Sequence, residues 1–204
     1  SRHYINNRLI AERIIDRKFS VIAISTYLTK LFRDRDIKVA TIPFVLEEKD
    51  KYFYFTDDNI IELAYVGRPS RRKDFLTDIV NALAELSQTE LERIRLTIVG
   101  VNKEQLINNF SISAETLSYL GDKISPMGLV PHEKAVEILR KADFTVLFRS
   151  ETDVNAKAGF PTKVTESLFN SIPVISNLTS DLAEYIIDGV SGFVVDDHTS
   201  LADC

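Results

Sequence analysis

A short loop concentrates residue types that could bind an anion. It runs Gly67-Arg-Pro-Ser-Arg-Arg-Lys73 and lies between a predicted strand and a predicted helix. Gly67 allows a sharp turn, and the helix that opens at Asp74 adds about +0.5 e at its N-terminus. Helix N–H groups and Arg or Lys together bind a diphosphate, so Arg68 and Lys73 are the predicted contacts. The alternative is a solvated basic loop without a ligand.

A second loop follows a predicted strand that ends at Phe148 and leads into another helix. Gly159 permits close approach of the backbone, Thr162 could cap the helix, and Lys163 could neutralise a phosphate. The predicted ligand-binding residues of this loop and helix are Gly159, Phe160, Pro161, Thr162, Lys163 and Glu166. The first loop lacks a GxGxxG motif, which disfavours a nicotinamide or flavin dinucleotide.

Glu166 lies in the early turns of that helix and allows two interpretations. A carboxylate binds vicinal diols well, so Glu166 could accept hydrogen bonds from both ribose hydroxyls of a nucleotide. It could also only complement the helix dipole, an effect of about 0.3–1 kcal/mol. The type of residue alone favours the second interpretation, and the order of the surrounding motifs favours the first.

A third turn, Gly128-Leu-Val-Pro-His132, also joins a predicted strand to a predicted helix. Gly128 and Leu129 could supply backbone polar groups and an apolar wall to a nucleotide base. His132 sits at the helix start and is interpreted as a cap or a surface residue.

Metal ligands and a nucleophilic triad are not indicated. No cluster of His, Asp and Glu has metal-ligand spacing. Asp57 and Asp58 are adjacent, whereas an Asp-x-Asp pair would chelate a divalent ion beside a diphosphate. No Ser-His-Asp arrangement stands out. We therefore expect a site that holds its ligand without a metal and without a cofactor.

Apolar strands alternate with amphipathic helices from residue 60 onward. The predicted strands are 61–66, 94–99, 123–127, 144–148, 172–176 and 192–195. The predicted helices are 74–91, 103–109, 113–120, 131–141, 162–170 and 180–187, and a long polar loop precedes the helix at 162. This alternation predicts an α/β fold with a Rossmann-like, doubly wound parallel sheet. Such a sheet binds its ligand beyond the carboxyl ends of its strands.

The N-terminal segment has a different organisation. A helical pattern over 1–18 precedes a buried-strand run at 19–24, a helix capped by Ser25 that ends at 33, and a strand at 38–42. So few elements cannot bury their own faces, so this segment is expected to complete a larger sheet. We divide the chain into a remnant of an N-terminal domain (1–46), a linker (47–59) and a Rossmann-like domain (60–204). A helix that starts at Thr199 is expected to be truncated.

Bulk composition excludes several classes of protein. A net charge of −5 argues against non-specific nucleic-acid binding, which needs a basic surface. Hydrophobic residues make up 45% and charged residues 27%, as in a folded soluble domain. The single Cys204 allows no internal disulfide and fits a reducing compartment. No apolar run approaches the ~20 residues of a membrane span. We expect a cytoplasmic location, which includes the cytoplasmic face of a membrane.

Taken in order, several stretches resemble the C-terminal, donor-binding domain of retaining GT-B glycosyltransferases of the glycosyl transferases group 1 family. The matching stretches are Tyr65-Val-Gly-Arg68 with Lys73, 96–100, Gly128-Leu-Val, Ala142-Asp-Phe, 159–166, 172–175 and 184–189 with Gly192. The resemblance covers residues 19–204, and 159–163 resembles transferases of bacterial surface polysaccharides. It implies retaining transfer of a hexose from a UDP- or GDP-sugar to an acceptor hydroxyl, in polysaccharide or lipopolysaccharide biosynthesis.

The resemblance also implies roles for particular residues. Arg68 and Lys73 would hold the donor diphosphate, and Glu166 would bind the ribose. These three would form the catalytic set, and Lys163 with two helix N-termini would stabilise the charge that grows on the departing diphosphate. The family's paired-glutamate motif has a first Glu that contacts the transferred sugar, and this chain has Ala158 there. The possible substitutes are Arg149, Glu151, Asp153, Asn155 and Lys157.

The partner expected beside the donor is a glycan or lipid-linked acceptor. The family's N-terminal domain supplies most acceptor contacts, so this piece is expected to bind donor and to turn over little. The full-length protein could associate peripherally with a membrane. Two alternatives stay open: a nucleotide-sugar epimerase of GT-B fold, and a catalytically dead nucleotide-sugar-binding module, which Ala158 leaves possible. The intact Lys163 and Glu166 favour an active transferase with a shifted sugar contact.

Overall fold

The computed structural model describes residues 18–42, 59–70 and 74–195. The predicted helical pattern up to residue 17, all but the last residue of the predicted linker, and the helix predicted from Thr199 lie outside this range. Lys73 also lies outside it, together with the adjacent pair Asp57 and Asp58.

A six-stranded parallel sheet forms the centre of the larger unit. Its strands follow the order β5-β4-β3-β6-β7-β8. Their bounds are β3 Ile61–Val66, β4 Ile94–Val99, β5 Ile124–Gly128, β6 Phe144–Leu147, β7 Val174–Ser176 and β8 Gly192–Val194. The order turns back between β3 and β6, and β3 pairs with both β4 and β6. The prediction of a doubly wound α/β fold is confirmed.

The helices that connect these strands cover the sheet. They are α2 Leu76–Glu85, α3 Gln88–Leu91, α4 Lys103–Phe110, α5 Ala114–Leu120, α6 His132–Lys141, α7 Val154–Ala158 and α8 Thr162–Phe169. Two short 3-10 helices, Gly121–Lys123 and Leu182–Glu184, complete the unit. Leu76 and Val80 of α2 pack with Leu96 and Ile98 of β4 in the core, where each is at most 1% exposed. Burial of each such side chain contributes about 1.5–3 kcal/mol.

A smaller unit precedes the large sheet. Strands β1 Ser20–Ala23 and β2 Lys38–Thr41 form a two-stranded parallel sheet, and α1 Thr26–Arg33 connects them. Ser25 caps α1 as predicted, because its hydroxyl accepts a hydrogen bond from the Leu28 N–H. The buried strand predicted at 19–24 is wrong in its burial, since Phe19 is 50% and Ile22 67% exposed. Within the described residues β1 pairs with β2 alone, so its other edge has no strand partner there.

The structure differs from the prediction at three other helices. The single helix predicted over 74–91 is two helices, because Leu86 is extended and Ser87 starts α3 in a reciprocal capping box with Glu90. The predicted helix from Ser180 is reduced to the 3-10 helix. Ser180 has a φ of 55°, a left-handed conformation that does not fit an N-cap. The predicted polar loop before 162 contains α7, which Asp153 caps.

Candidate functional site

The first two predicted loops meet at the carboxyl end of β3. Gly67 follows β3 with a φ of 123°, a conformation that favours glycine. A Cβ added at Gly67 would lie 2.9 Å from Cε of Lys163, the second residue of α8. A Cβ added at Gly100 would lie 2.4 Å from the Gly67 carbonyl oxygen. The glycines therefore let the first loop lie against the end of β4 and beneath the Lys163 side chain.

A buried carboxylate, Asp74, connects these loops. Its side chain is 2% exposed. The Asp74 Oδ2 atom lies 2.8 Å from the Ser70 N–H donor, 3.4 Å from the Tyr65 hydroxyl and 3.5 Å from Lys163 Nζ. The Asp74 Oδ1 atom lies 4.0 Å from Arg149 Nε. We call these four charged or phenolic side chains (Tyr65, Asp74, Arg149 and Lys163) the Asp74 cluster.

The backbone reinforces the Asp74 cluster. The Asp74 N–H donates to the Ser70 carbonyl at 3.0 Å, and the Phe75 N–H donates to the Phe148 carbonyl at 2.9 Å. Asp74 and Arg149 also form an isolated antiparallel bridge. These contacts tie the end of the first loop to the chain that leaves β6.

Arg149 and Tyr65 are buried members of the Asp74 cluster. The Arg149 side chain is 3% exposed, and its Nη1 donates to the Gly159 carbonyl at 3.1 Å. Burial lowers the pKa of Arg149 from its ordinary value, and the charge of Asp74 opposes that shift. Burial, with Asp74 next to it, raises the pKa of Tyr65 far above its ordinary value, so its phenol stays neutral. Formal charges of −1, +1 and +1 leave the cluster with a net charge of +1.

Lys163 is the member of the Asp74 cluster nearest to solvent. Its side chain is 21% exposed, against 2% for Asp74 and 3% for Arg149. The ammonium lies 4.9 Å from the centroid of the Tyr65 ring, within the range of a cation–π contact. The structure therefore has the predicted cation at the start of α8, the helix that follows the second loop. The aliphatic stem of Lys163 lies on the first loop.

Arg68 and Glu166 lie at the surface of the same edge. Arg68 is exposed, and within the described residues it has no hydrogen bond or ion pair. Glu166 is also exposed and is the fifth residue of α8, so it lies in the second turn. Both side chains are accessible to a ligand in solution. Lys73, the third member of the predicted catalytic set, lies outside the described residues.

Other predicted residues of the second loop serve packing. Phe160 is 9% exposed and stacks edge-on against Tyr185 with ring centroids 4.9 Å apart. Pro161 is buried and is the N-cap residue of α8. The expected cap by Thr162 is wrong, because Thr162 is the first residue of the helix and no side chain caps it. The Gly159 N–H donates to the Asn155 carbonyl at 3.0 Å, and the Gly159 carbonyl accepts from Arg149.

The third turn presents an apolar surface. Gly128 uses its N–H for the Val101 carbonyl at 2.8 Å, and its carbonyl accepts the Gly100 N–H at 2.7 Å. These contacts tie β5 to β4. The Gly128 N–H is therefore already used within the protein. Leu129 is 67% exposed and could contact a base, and His132 is an exposed residue at the start of α6, as expected.

Ala158, which the resemblance places at the family's first Glu, is the last residue of α7. Its carbonyl accepts a hydrogen bond from the Ser25 hydroxyl at 2.7 Å, which joins the two units. Thr26 adds two hydrogen bonds to the Asp181 carboxylate, one of them from its N–H at 2.8 Å. Of the possible substitutes, Arg149 is turned inward and Asp153 caps α7. The exposed ones are Glu151, Asn155 and Lys157.

Sequence reasoning missed the Asp74 cluster. Asp74 was predicted only to open a helix, and Tyr65 only as part of a motif. The signal that could have found them is charge balance, since a cation at each of two converging strand ends calls for a counter-ion between them. Asn177, also missed, fixes the start of the second loop by accepting from the Arg149 N–H and donating to the Arg149 carbonyl.

The described residues contain no group of three or more His, Cys, Asp and Glu side chains that could hold a metal ion. None of the helices in 18–42, 59–70 and 74–195 is long and apolar enough to cross a membrane.

Comparison with known protein families matches residues 47–203 to the family described as glycosyl transferases group 1. The chain belongs to this family. The match covers the whole six-stranded sheet and both loops that carry the site, as the resemblance in the sequence implied. No curated protein sequence matches the chain.

Solved structures with a similar fold are GT-B glycosyltransferases. The lipopolysaccharide outer core galactosyltransferase WaaB, in its apo form, is 20% identical with a TM-score of 0.63; the match covers 87% of this chain and 48% of that one. Sucrose-phosphate synthase from Thermosynechococcus elongatus is 22% identical with a TM-score of 0.66, covering 97% and 51%. HepE of Anabaena, in complex with UDP and glucose, is 16% identical with a TM-score of 0.66, covering 97% and 56%. The chain thus spans about half the length of these proteins.

Proposed function

We propose that this chain is the donor-binding part of a glycosyltransferase and that it holds a nucleotide-diphosphate sugar at the carboxyl edge of its sheet. The observation that carries the proposal is the contact of Lys163 with Gly67. It brings a cation at the start of one helix onto the glycine turn of another strand, where Arg68 is exposed. The HepE structure contains UDP and glucose, which supports the same class of donor here.

The proposed reaction is transfer of a hexose to an acceptor hydroxyl with retention, in polysaccharide or lipopolysaccharide biosynthesis at the cytoplasmic side of a membrane. As the glycosidic bond breaks, negative charge grows on the nucleoside diphosphate. Arg68, Lys73 and Lys163 stabilise that negative charge, and the N–H groups at the start of α8 stabilise it further. These cations thereby stabilise the charge that a divalent metal ion stabilises in metal-dependent enzymes.

Glu166 is proposed to bind the ribose. It lies one turn beyond Lys163 on α8, so one helix presents a cation to the diphosphate and a carboxylate to the neighbouring sugar ring. Leu129 is the proposed apolar wall for the base, because its side chain is exposed and directly follows β5 at the carboxyl edge of the sheet. The donor is a UDP- or GDP-sugar.

One observation favours a second candidate, a nucleotide-sugar-binding module without turnover. The family position that contacts the transferred sugar is Ala158, whose side chain has no polar group. Its carbonyl is engaged by Ser25. Glu151, Asn155 and Lys157 are exposed nearby in sequence and are the proposed replacements in the active alternative.

Calorimetric titration of the chain with UDP, GDP and ADP tests the proposal. We expect weak, saturable binding of UDP or GDP that survives EDTA, because the cations hold the diphosphate without a metal. Binding that is lost on chelation and restored by magnesium or manganese would contradict the metal-free site. No binding of any of the three would contradict the donor site itself.

Product analysis with the full-length protein then separates the candidates. A glycoside with retained configuration supports transfer, an epimerised sugar nucleotide supports an epimerase, and an unchanged donor supports the binding module.

A further inference from the structure

The Asp74 carboxylate has donors enough to remain satisfied without Lys163. Its Oδ2 atom accepts the Ser70 N–H at 2.8 Å and lies 3.4 Å from the Tyr65 hydroxyl, both closer than Lys163 Nζ at 3.5 Å. Its Oδ1 atom lies 4.0 Å from Arg149. Lys163 is therefore the most distant of the three Oδ2 contacts, and its departure leaves the buried carboxylate with a cation and two donors.

Lys163 and Arg149 differ in how freely they can change partner. Arg149 is 3% exposed and donates to the Gly159 carbonyl at 3.1 Å, so it stays with Asp74. Lys163 is 21% exposed, and its four-carbon stem lies along Gly67 at the edge that faces solvent. A lysine ammonium has three donors on a flexible stem, so it can turn from a carboxylate to an anion that arrives beside it.

We propose that Asp74 is a built-in counter-ion that competes with the nucleoside diphosphate for Lys163. This inference rests on the proposed function, since it assigns Lys163 to the diphosphate. Without a diphosphate, Asp74 holds the ammonium over the Tyr65 ring and offsets one of the two positive charges of Arg149 and Lys163. When a diphosphate binds, Lys163 turns to it and Asp74 remains with Arg149, Ser70 and Tyr65. Asp74 thus acts through Lys163, as a positioning residue, and weakens the bound state.

The consequence concerns release of the product. A transferase must release the nucleoside diphosphate after each transfer, and cations beside a diphosphate oppose that release. An internal carboxylate that offers Lys163 an alternative partner lowers the affinity for the free nucleotide. In the same way, it keeps the empty site from being a buried cluster of uncompensated positive charge.

The test measures the affinity of the chain for UDP and for GDP in four forms: wild type, Asp74→Asn, Lys163→Met and the double variant. Asparagine keeps an oxygen for the Ser70 N–H and removes the charge. We expect Asp74→Asn to bind the nucleotide about five- to tenfold more tightly, and Lys163→Met to bind it more weakly. In the Lys163→Met background, Asp74→Asn should change the affinity by less than about twofold. Damage to the site would weaken binding, so a gain of affinity has no merely structural explanation.

Asp143→Asn is the matched control. Asp143 accepts the Glu62 N–H at 2.8 Å at the opposite end of β3, so the change removes one negative charge and keeps a hydrogen-bond acceptor. We expect it to leave the nucleotide affinity within about twofold of wild type, because surface charge far from the site is screened. An equal gain in Asp143→Asn would show a net-charge effect and overturn the proposal.

A second measurement does not depend on the folding of an Asp74 variant. In the wild-type chain with 15N-labelled lysine, the Lys163 Nζ signal, assigned by its loss in Lys163→Met, should move as UDP is added. A signal that stays fixed while UDP saturates the chain overturns the exchange. Weaker binding by Asp74→Asn, or the same gain with and without Lys163, also overturns it. Failure of the wild type to bind either nucleotide overturns the donor site first, and the inference with it.

Discussion

Asp74 and Asp143 lie at opposite ends of the paired strands β3 and β6, and each accepts a backbone N–H at 2.8 Å. Asp143 accepts from Glu62 and, in return, its own N–H donates to the Glu62 carbonyl, which joins the amino ends of the two strands. In the described part of the chain Asp143 pairs with no cation. Asp74 instead lies beside Arg149 and Lys163.

The difference shows that aspartates at the two ends of one strand pair have different electrostatic surroundings. At the amino edge a carboxylate only completes the hydrogen bonding of two strands. At the carboxyl edge a carboxylate of the same type is surrounded by cations, and the cluster keeps a net charge of +1 close to an exposed arginine, Arg68. Parallel α/β sheets bind ligands at the carboxyl edge because helix N-termini and strand-end loops converge there.

The largest expected effect is on the backbone that shapes the carboxyl edge. Gly100→Ala places a Cβ 2.4 Å from the Gly67 carbonyl oxygen in a residue with a φ of 108°. Overlap with backbone and the positive φ together should lower the free energy of unfolding by about 4 kcal/mol. Denaturant unfolding measures the loss. Gly121→Ala is the control, since it also has a positive φ and no atom within 4 Å of the added Cβ. Equal losses of unfolding free energy in the two variants would show that the backbone at Gly67 moves easily enough to accommodate a Cβ at residue 100.

The two aspartates should differ in stability when truncated. Asp74→Ala leaves Arg149 buried without its counter-ion, which should cost about 3 kcal/mol of unfolding free energy. Asp143→Ala leaves one half-buried N–H without its acceptor and should cost about 1 kcal/mol. Chemical denaturation of both variants beside the wild type gives the comparison directly. If Asp143→Ala is the more destabilised, the Asp74 cluster contributes little to folding.

Much of the fold followed from patterns that are local in the sequence. Strands β3 and β4 and helix α6 have clear apolar periods and bounded turns, so their bounds were predicted to within a residue or two. The break at Leu86 was missed because a capping box between Ser87 and Glu90 overrides an apolar period that continues on both sides. Helix α7 was missed because five residues are too few to show a period.

The convergence of the two basic loops at one sheet edge was predicted, and the buried contacts between them were not. The rule that ligands bind at strand ends identified both basic loops, and the contact of Lys163 with Gly67 agrees with it. The pairing of Lys163 with Asp74 joins residues 89 positions apart. It depends on β6 lying next to β3, and no local pattern specifies that strand order. Burial of Arg149 depends on the same neighbour relation, so no local pattern indicated it. Its role as one of five possible sugar contacts stays a prediction.

The next expected effect concerns the cations at the carboxyl edge. Arg68→Ala or Lys73→Ala deletes a charge-assisted hydrogen bond to the diphosphate and should weaken nucleotide binding by ~1.5–3 kcal/mol. Isothermal titration with UDP or GDP measures the change. Arg93→Ala is the matched control, because Arg93 precedes β4 at the amino edge, where its Nε donates to the Asn59 carbonyl at 3.3 Å. Unchanged affinity in both edge variants would remove the first loop from the site.

The smallest expected effect distinguishes the two interpretations of Glu166. If Glu166 only complements the dipole of α8, Glu166→Gln changes the stability by about 0.3–1 kcal/mol and leaves nucleotide affinity alone. Its place in the second turn and its exposure keep that contribution at the low end. If the carboxylate instead accepts both ribose hydroxyls, the same change weakens donor binding by ~1.5 kcal/mol, since glutamine has one carbonyl oxygen in place of two charged ones.

Deoxyribose donors sharpen the Glu166 experiment because they remove one partner from the ligand side. The wild-type chain should bind a 2′-deoxynucleoside diphosphate more weakly than its ribose counterpart, and Glu166→Gln should discriminate less between the two. A variant with undiminished ribose preference and normal affinity would leave Glu166 as a surface residue of its helix. Donor recognition would then depend on the cations alone, and the carboxyl edge would bind the diphosphate without contacting the ribose hydroxyls.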